Sequence, residues 1–281
     1  MTTASPLVSV LMCVFNGERY VGPAIQSILD QDYNSLEIIV VDDGSTDHTP
    51  DVLLGFDDQR LRIVTLPKNV GIPSALNQGL QHCSGKYIAR LDSDDLSLPG
   101  RISHQVSILE ALPEVGVLGG SAVGMINGQL GDAIDVETNF DLGCKLLSGN
   151  QLKSSTVMIR RSILATNSLT FDEQFPNAQD YELWCRISQF AKVANESTAV
   201  SIYRYHAEQE TSRFFARQLT LAVDVQAKLL RSRTSKRNCS LRARAIGWAF
   251  LLRHKVLLLR VRVTQRNLPI IKRFQWRNIG L

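Results

Sequence analysis

The chain has 281 residues, 44% of them hydrophobic and 21% charged. That is the balance of a globular protein and excludes a collagen, a disulfide miniprotein or a long disordered tail. The formal charge of +4 hides a division: residues 1–224 hold all 27 acidic residues and 16 of the 31 basic ones, whereas 225–281 hold the other 15 Lys and Arg and no acid. The split describes an acidic body with a basic appendage directed at something anionic.

Cys13, Cys83, Cys144, Cys185 and Cys239 are scattered, with no Cys-x-x-Cys pair and no histidines at zinc spacing. The start Met1-Thr2-Thr3-Ala4-Ser5-Pro6 has neither the basic nor the apolar region of a secretion signal. A reducing, cytoplasmic setting is expected.

In chain order, Val8 to Val14 reads as a strand that ends at the turn signal Asn16-Gly17. Val21 to Leu29 has apolar residues at helical spacing. Leu36 to Val41 is a second strand running into Asp42-Asp43-Gly44-Ser45, and Asp47 to Leu54 a short helix with Pro50 in its first turn. A strand over Leu61 to Leu66 and a loop at Lys68 to Gly71 follow. Ser74 is then a candidate cap for a helix to about Cys83, with Gly85 past its end. Tyr87 to Leu91 is a fourth strand, ending at Asp92-Ser93-Asp94-Asp95.

Pro99 opens a helix to about Leu112, Val115 to Gly120 is a strand and turn, and 124–150 reads as a variable loop region. Thr156 to Arg160 is a short strand. Helices are expected over Asp180 to Phe190, Phe214 to Leu230 and Leu241 to about Val263.

Strand and helix alternating over short connections imply a mostly parallel sheet covered on both faces. Ligands bind such sheets beyond the carboxyl ends of the strands. Asn16-Gly17, Asp42 to Ser45 and Asp92 to Asp95 all belong there, although they come from three separate strands. No Gly-x-Gly-x-x-Gly follows the first strand. Gly79 to Lys86 only imitates a phosphate loop, being one residue too long with Tyr87 in place of Ser or Thr.

The carboxylates of Asp92, Asp94 and Asp95 suit a hard cation, Mg²⁺ or Mn²⁺. Such a cation neutralises the charge developing on a diphosphate leaving group. An isolated Asp-x-Asp is also a common capping or solvent-facing loop. At Asp42-Asp43 a turn and a helix cap at Ser45 or Asp47 compete with a second use, a carboxylate accepting the imide N–H of a uracil or thymine base.

These segments in series resemble the family-2 inverting glycosyltransferases of the GT-A fold, and among them bacterial polysaccharide-biosynthesis members. The matching pieces are Val8 to Glu18, Ile38 to Asp47, Asn69 to Gly71, Ala75 to Gly79 and Gly85 to Asp95, with similarity over about residues 6–215. The resemblance implies an α/β, Rossmann-like mixed but mostly parallel sheet flanked by helices. It divides the chain into a GT-A domain over 1–215 and a basic helical C-terminal extension over 216–281.

For the site, the resemblance implies that Phe15, Asn16, Glu18, Asp43, Asn77, Arg90, Asp92 and Ser93 contact the nucleotide sugar. Asp94 becomes the direct metal ligand, with Asp92 and His206 as further candidates. Ala178-Gln179-Asp180-Tyr181-Glu182-Leu183-Trp184 resembles the segment carrying the catalytic base, which falls on Asp180. Read without the resemblance, Asp180 would be the N-cap of the helix that follows. Tyr203 to His206, with Gln209 and Ser212, resembles a loop that closes over the diphosphate.

The chain departs from the common pattern in three places: Gln179 stands where many members have an acid, Leu76 where many have Arg, and Ser154-Ser155-Thr156 where relatives often have a His.

The expectation is therefore a metal-dependent, inverting transfer from a UDP- or dTDP-type sugar to a glycan or lipid-linked acceptor in cell-surface polysaccharide biosynthesis. A competing expectation is a non-catalytic nucleotide-sugar-binding subunit of a membrane-associated assembly. A nucleotidyltransferase would need a Gly-rich, basic loop where Phe15-Asn16-Gly17-Glu18 stands.

Beyond the resemblance, Leu241 to Val263 mixes Arg and Lys with Trp248, Phe250, Leu251 and Leu252. Its longest uncharged run, Ala245 to Leu252, falls far short of the ~20 apolar residues of a membrane span. A basic helix with an apolar face suits the anionic inner surface of the plasma membrane, or else docks on the acidic body. Nucleic acid is not expected as a partner.

Overall fold

Strands β1 (Val8–Val14) and β2 (Leu36–Asp42) pair in parallel, with Val8 opposite Leu36 and Val14 opposite Asp42. This fixed register brings the residues after both strands to one edge. The computed structural model describes residues 5–209, 214–236, 245, 247–253 and 255. Strand β3 (Leu61–Thr65) adds in parallel outside β2, and β4 (Tyr87–Arg90) in parallel on the other side of β1.

The remaining strands are β5 (Leu96–Ser97), β6 (Val115–Ile126), β7 (Gln129–Ile134), β8 (Met158–Arg160) and β9 (Lys192–Tyr205). Among the described residues one nine-stranded sheet runs β3-β2-β1-β4-β8-β6-β9-β5, with β7 pairing β6. Beyond β4 the sheet turns mixed: β8 is antiparallel to β4 and β6, while β9 is parallel to β6.

Strand side chains alternate between faces, and each face has its own core. Val8, Val10, Met12, Ile38 and Val40 pack on one side against α1 (Val21–Leu29) and α4 (Arg101–Ala111). Leu11, Ile39 and Val41 pack on the other with α3 (Ile72–Leu80), α6 (Gln179–Ile187) and α7 (Phe215–Lys236). Two further short helices are α2 (Thr49–Leu54) and α5 (Arg161–Thr166).

The helix starts differ from the expected caps. Gly71, not Ser74, holds the N-cap position of α3, and no side chain caps it. Ala178 precedes α6, so Asp180 lies inside the first turn and is not the cap. Gly85 is not a helix end either: α3 closes at Gln81, and a Cβ at Gly85 would lie 2.6 Å from the Ser9 amide nitrogen. The chain needs glycine there to pass close to β1.

The expected loop region 124–150 contains more order than its composition suggests. β6 extends to Ile126 and turns back as β7, and 3-10 turns follow at Lys145–Ser148 and Ser154–Thr156. Leu219, Ala222, Val223, Val225, Leu229 and Leu230 of α7 are buried in the same core as Trp184 and Leu147. Residues 247–253 are helical, and the rest of the expected helix from Leu241 to Val263 lies outside the described residues apart from 245 and 255. Cys13 and Cys83 are free thiols, whereas Cys144 is disulfide-bonded, which the expected reducing setting does not predict.

Candidate active site

Two turns interlock at the carboxyl edge of β1 and β2. Asn16 takes a left-handed φ of 51°, which Asn tolerates better than most residues. Its Oδ1 accepts the Thr46 amide at 2.8 Å, while its own amide donates to Ser45 Oγ at 3.0 Å. The Gly17 amide donates to Thr49 Oγ1 at 2.8 Å, and Glu18 Oε2 accepts the His48 amide at 2.9 Å. Ser45 therefore bonds the neighbouring turn and does not cap α2, whereas Asp47 Oδ1 accepts the Thr49 amide at 3.0 Å.

Asp43 is buried with its carboxylate across a second loop. Oδ1 accepts the Val70 amide at 2.8 Å and Oδ2 the Gly71 amide at 2.9 Å. Burial nevertheless raises Asp43 above the ordinary carboxylate value, because desolvation outweighs those two bonds. Gly44 sits at φ 71°, and a Cβ there would lie 2.5 Å from the Lys68 carbonyl carbon. Only glycine accepts both the left-handed turn and that approach. Phe15, the residue after β1, is half exposed.

The end of β4 carries the acids, and buried cations hold them. The Arg90 guanidinium donates to the Leu11 carbonyl at 2.8 Å and to Asp92 Oδ1 at 2.7 Å. Arg101, also buried, donates to the Arg90 carbonyl at 2.8 Å, and burial drops its pKa to about 9. Ser155, one of the residues standing where relatives often have a His, is the hub of the loop. Its hydroxyl accepts the Asp92 amide at 3.1 Å and lies 3.2 Å from Asp92 Oδ2 and 2.5 Å from Asp95 Oδ2. Burial, then the Asp94 and Asp92 charges, push Asp95 well above its ordinary value.

Asp94 faces the end of β9. His206 Nε2 stands 2.9 Å from Asp94 Oδ2, and Arg204 Nη1 donates to the Asp94 carbonyl at 3.0 Å. Tyr20 stacks on the His206 ring with centroids 4.5 Å apart. The Arg204 amide donates to Asp95 Oδ1 at 2.9 Å. Gln209 Nε2 donates to the Arg204 carbonyl.

Asp180 meets this cluster from the first turn of α6. Burial raises its pKa and the Tyr181 amide lowers it, while the charge of Asp92 raises it further. Its Oδ2 accepts from Asn150 Nδ2 at 3.2 Å. The nearby Lys153 is pulled below the ordinary ammonium value by burial, against the opposing pull of Asp180. Glu182, two residues on, is occupied elsewhere, paired with Arg186 at 2.6 Å and Lys228 at 3.4 Å.

The expected residues thus divide. Phe15, Asn16, Glu18 and Asp43 follow one edge; Asp92, Ser93, Asp94 and His206 gather beside it; and Asp180 lies on α6, near enough to Asp92 to feel its charge. Arg90 is committed beneath Asp92. Asn77 is committed elsewhere, since its Nδ2 donates to the Phe171 carbonyl and its Oδ1 accepts the Phe171 amide, both at 2.8 Å.

Carboxylate oxygens and an imidazole nitrogen are donors that Mn²⁺ takes, and the carboxylates suit Mg²⁺. Among the described residues no three His, Cys, Asp or Glu side chains form a ready metal cage. Mg²⁺ in phosphate chemistry is held by one or two carboxylates plus substrate phosphates, so Asp94 and Asp92 fit that use.

Residues 9–136 match the family model for glycosyl transferase family 2. An uncharacterized glycosyltransferase of Haemophilus influenzae is 34% identical over 220 residues, which cover 74% of this chain and 68% of that protein. One from Rickettsia bellii is 32% identical over 231 residues, 77% of this chain but 32% of its own length. The putative glycosyltransferase EpsE of Bacillus subtilis is 28% identical over 225 residues, 79% of this chain and 80% of EpsE.

Among solved structures, S. aureus TarS 1–349 in complex with UDP-GlcNAc aligns with a TM-score of 0.71 at 19% identity, covering 95% of this chain and 77% of that one. The mannosyltransferase PcManGT of Pyrobaculum calidifontis, in complex with GDP-Man and Mn²⁺, aligns with a TM-score of 0.66 at 19% identity, covering 95% and 78%. At that identity the likeness speaks for the fold alone, a GT-A arrangement.

Proposed function

The chain belongs to glycosyl transferase family 2, and on that premise we propose that it moves one sugar, with inversion, from a UDP- or dTDP-type nucleotide sugar to a glycan or lipid-linked acceptor. Cell-surface polysaccharide assembly is the process this reaction suits. The observation that carries the reading is geometric: the acid loop after β4, with His206 Nε2 2.9 Å from Asp94 Oδ2, lies beside the interlocked turns that end β1 and β2.

The interlocked turns around Phe15, Asn16 and Asp43 form the nucleotide end. Asp94, with Asp92 and His206, would hold a divalent cation that supplies positive charge beside the diphosphate leaving group. Asp180 accepts the proton of the acceptor hydroxyl as that oxygen bonds to the anomeric carbon and the bond to the diphosphate breaks. Inversion needs this single base on the face opposite the leaving group. Its raised pKa makes Asp180 a better proton acceptor than an exposed carboxylate.

The test is Asp180→Asn, assayed with a panel of nucleotide sugars by product analysis and by donor titration. The reading expects donor binding to persist and product to vanish. Full turnover in that variant would remove Asp180 from the base role.

A further inference from the structure

The basic appendage contributes a second surface, whose outward residues are distinct from those that pack it on the body. In helical residues 247–253, Gly247 and Leu251 point inward and are buried. Gly247 lies against Leu147 and Leu230, and Gln226 Nε2 ties the layers by donating to the Leu147 carbonyl at 2.5 Å and the Gly247 carbonyl at 3.2 Å. Trp248 and Leu252, one helical turn apart, face outward at 51% and 62% exposure. Ala249, Arg253 and Lys255 are exposed beside them.

We propose that this face, Trp248 and Leu252 flanked by Arg253 and Lys255, docks on an anionic phospholipid surface. Charge complementarity selects the occupant, because 225–281 carries 15 basic residues and no acid. Each Lys or Arg near an anionic leaflet adds to the attraction. An exposed Trp beside Leu suits the boundary between headgroups and acyl chains. No helix among the described residues is long and apolar enough to cross a membrane.

The packing also relates the face to the site. Gly247 rests on Leu147, and Asn150, shortly after it in the chain, bonds Asp180. Docking through Trp248 brings the chain to the surface on which a lipid-linked acceptor presents its hydroxyl. This purpose rests on the acceptor proposed above. The docking itself is measured without sugar transfer, so the two can fail separately.

The experiment is co-sedimentation of the full chain with phosphatidylcholine vesicles, with and without phosphatidylglycerol. The expected result is a partition at least about tenfold stronger on the anionic vesicles, weakening as salt shortens the Debye length. The double variant Trp248→Ala, Leu252→Ala should lose about tenfold in partition, from the apolar area it withdraws. Arg253→Glu with Lys255→Glu should lose as much and serves as the second test where the first variant is poorly folded. Thermal melting and UDP titration should match the parent in both.

Equal partition onto neutral and anionic vesicles would overturn the proposal, as would well-folded variants that bind like the parent. A Trp248- and Leu252-dependent dimer in sedimentation velocity, with no vesicle binding, would assign the face to a second copy. RNA binding with the same dependence and no vesicle binding would assign it to nucleic acid.

Discussion

The strand-end side of the site and its helix side are built in different ways. Asn16, Asp43 and Asp92 follow strands paired in parallel, so sheet register alone brings them together. Asp180 arrives on a helix, and its place depends on tertiary partners: Asn150 and the packing that buries the helix turn. The first side is set by topology; the second is set by packing. A change to the helix side should therefore alter chemistry while sparing donor binding, and a change to the strand-end side should alter both.

The sharpest way to break this contrast is Asp180→Asn. Loss of a general base lowers kcat by about 10²- to 10⁴-fold, and the donor Kd should stay within twofold of the parent. A donor Kd weakened along with kcat would merge the two sides. The pH profile sharpens the same point. A base works only when ionised, so kcat should fall about tenfold per unit as pH drops below its pKa. Burial raises that pKa, so the acid limb should lie above the ordinary carboxylate value of 3.8. A flat profile down to that value would separate the base from Asp180.

Next in size are two changes on the strand-end side. Gly44→Ala places a methyl group against the Lys68 backbone in a left-handed turn and should cost about 1–3 kcal/mol in urea unfolding, with weaker donor binding. Ser155→Ala leaves the buried Asp95 oxygen without its hydroxyl partner and should cost about 1–3 kcal/mol, with kcat lowered. The smallest effect is expected at Asn77→Ala. Two bonds to Phe171 go, stability falls by about 1–2 kcal/mol, and donor Kd holds. A several-fold rise in donor Kd would return Asn77 to the donor-contacting set.

The contrast also explains what could be read from the chain alone. Apolar runs and turn signals located β1, β2, β3 and β4 to within a residue or two at each end, and with them the edge that carries Asn16, Asp43 and Asp92. Ser155 is legible only as a departure from the family pattern, because its role lies in bonds to Asp92 and Asp95, some sixty positions earlier in the chain, which no local pattern carries. Asn77 was placed with the donor contacts on its motif alone, yet its amide is spent on Phe171, a partner 94 positions away. The β6–β7 hairpin was hidden because β7 is almost wholly exposed and lacks the apolar alternation of a half-buried strand.

The interlocked turns carry a consequence for how such a protein drifts over generations. Asn16 Oδ1 holds the Thr46 amide, and Ser45 Oγ holds the Asn16 amide, so neither turn keeps its shape when the other changes. A lineage altering position 16 must pass through a damaged intermediate or change 45 and 46 in step. Those positions should covary among relatives, and a library that randomises them together should retain far more working members than the single-site libraries would suggest.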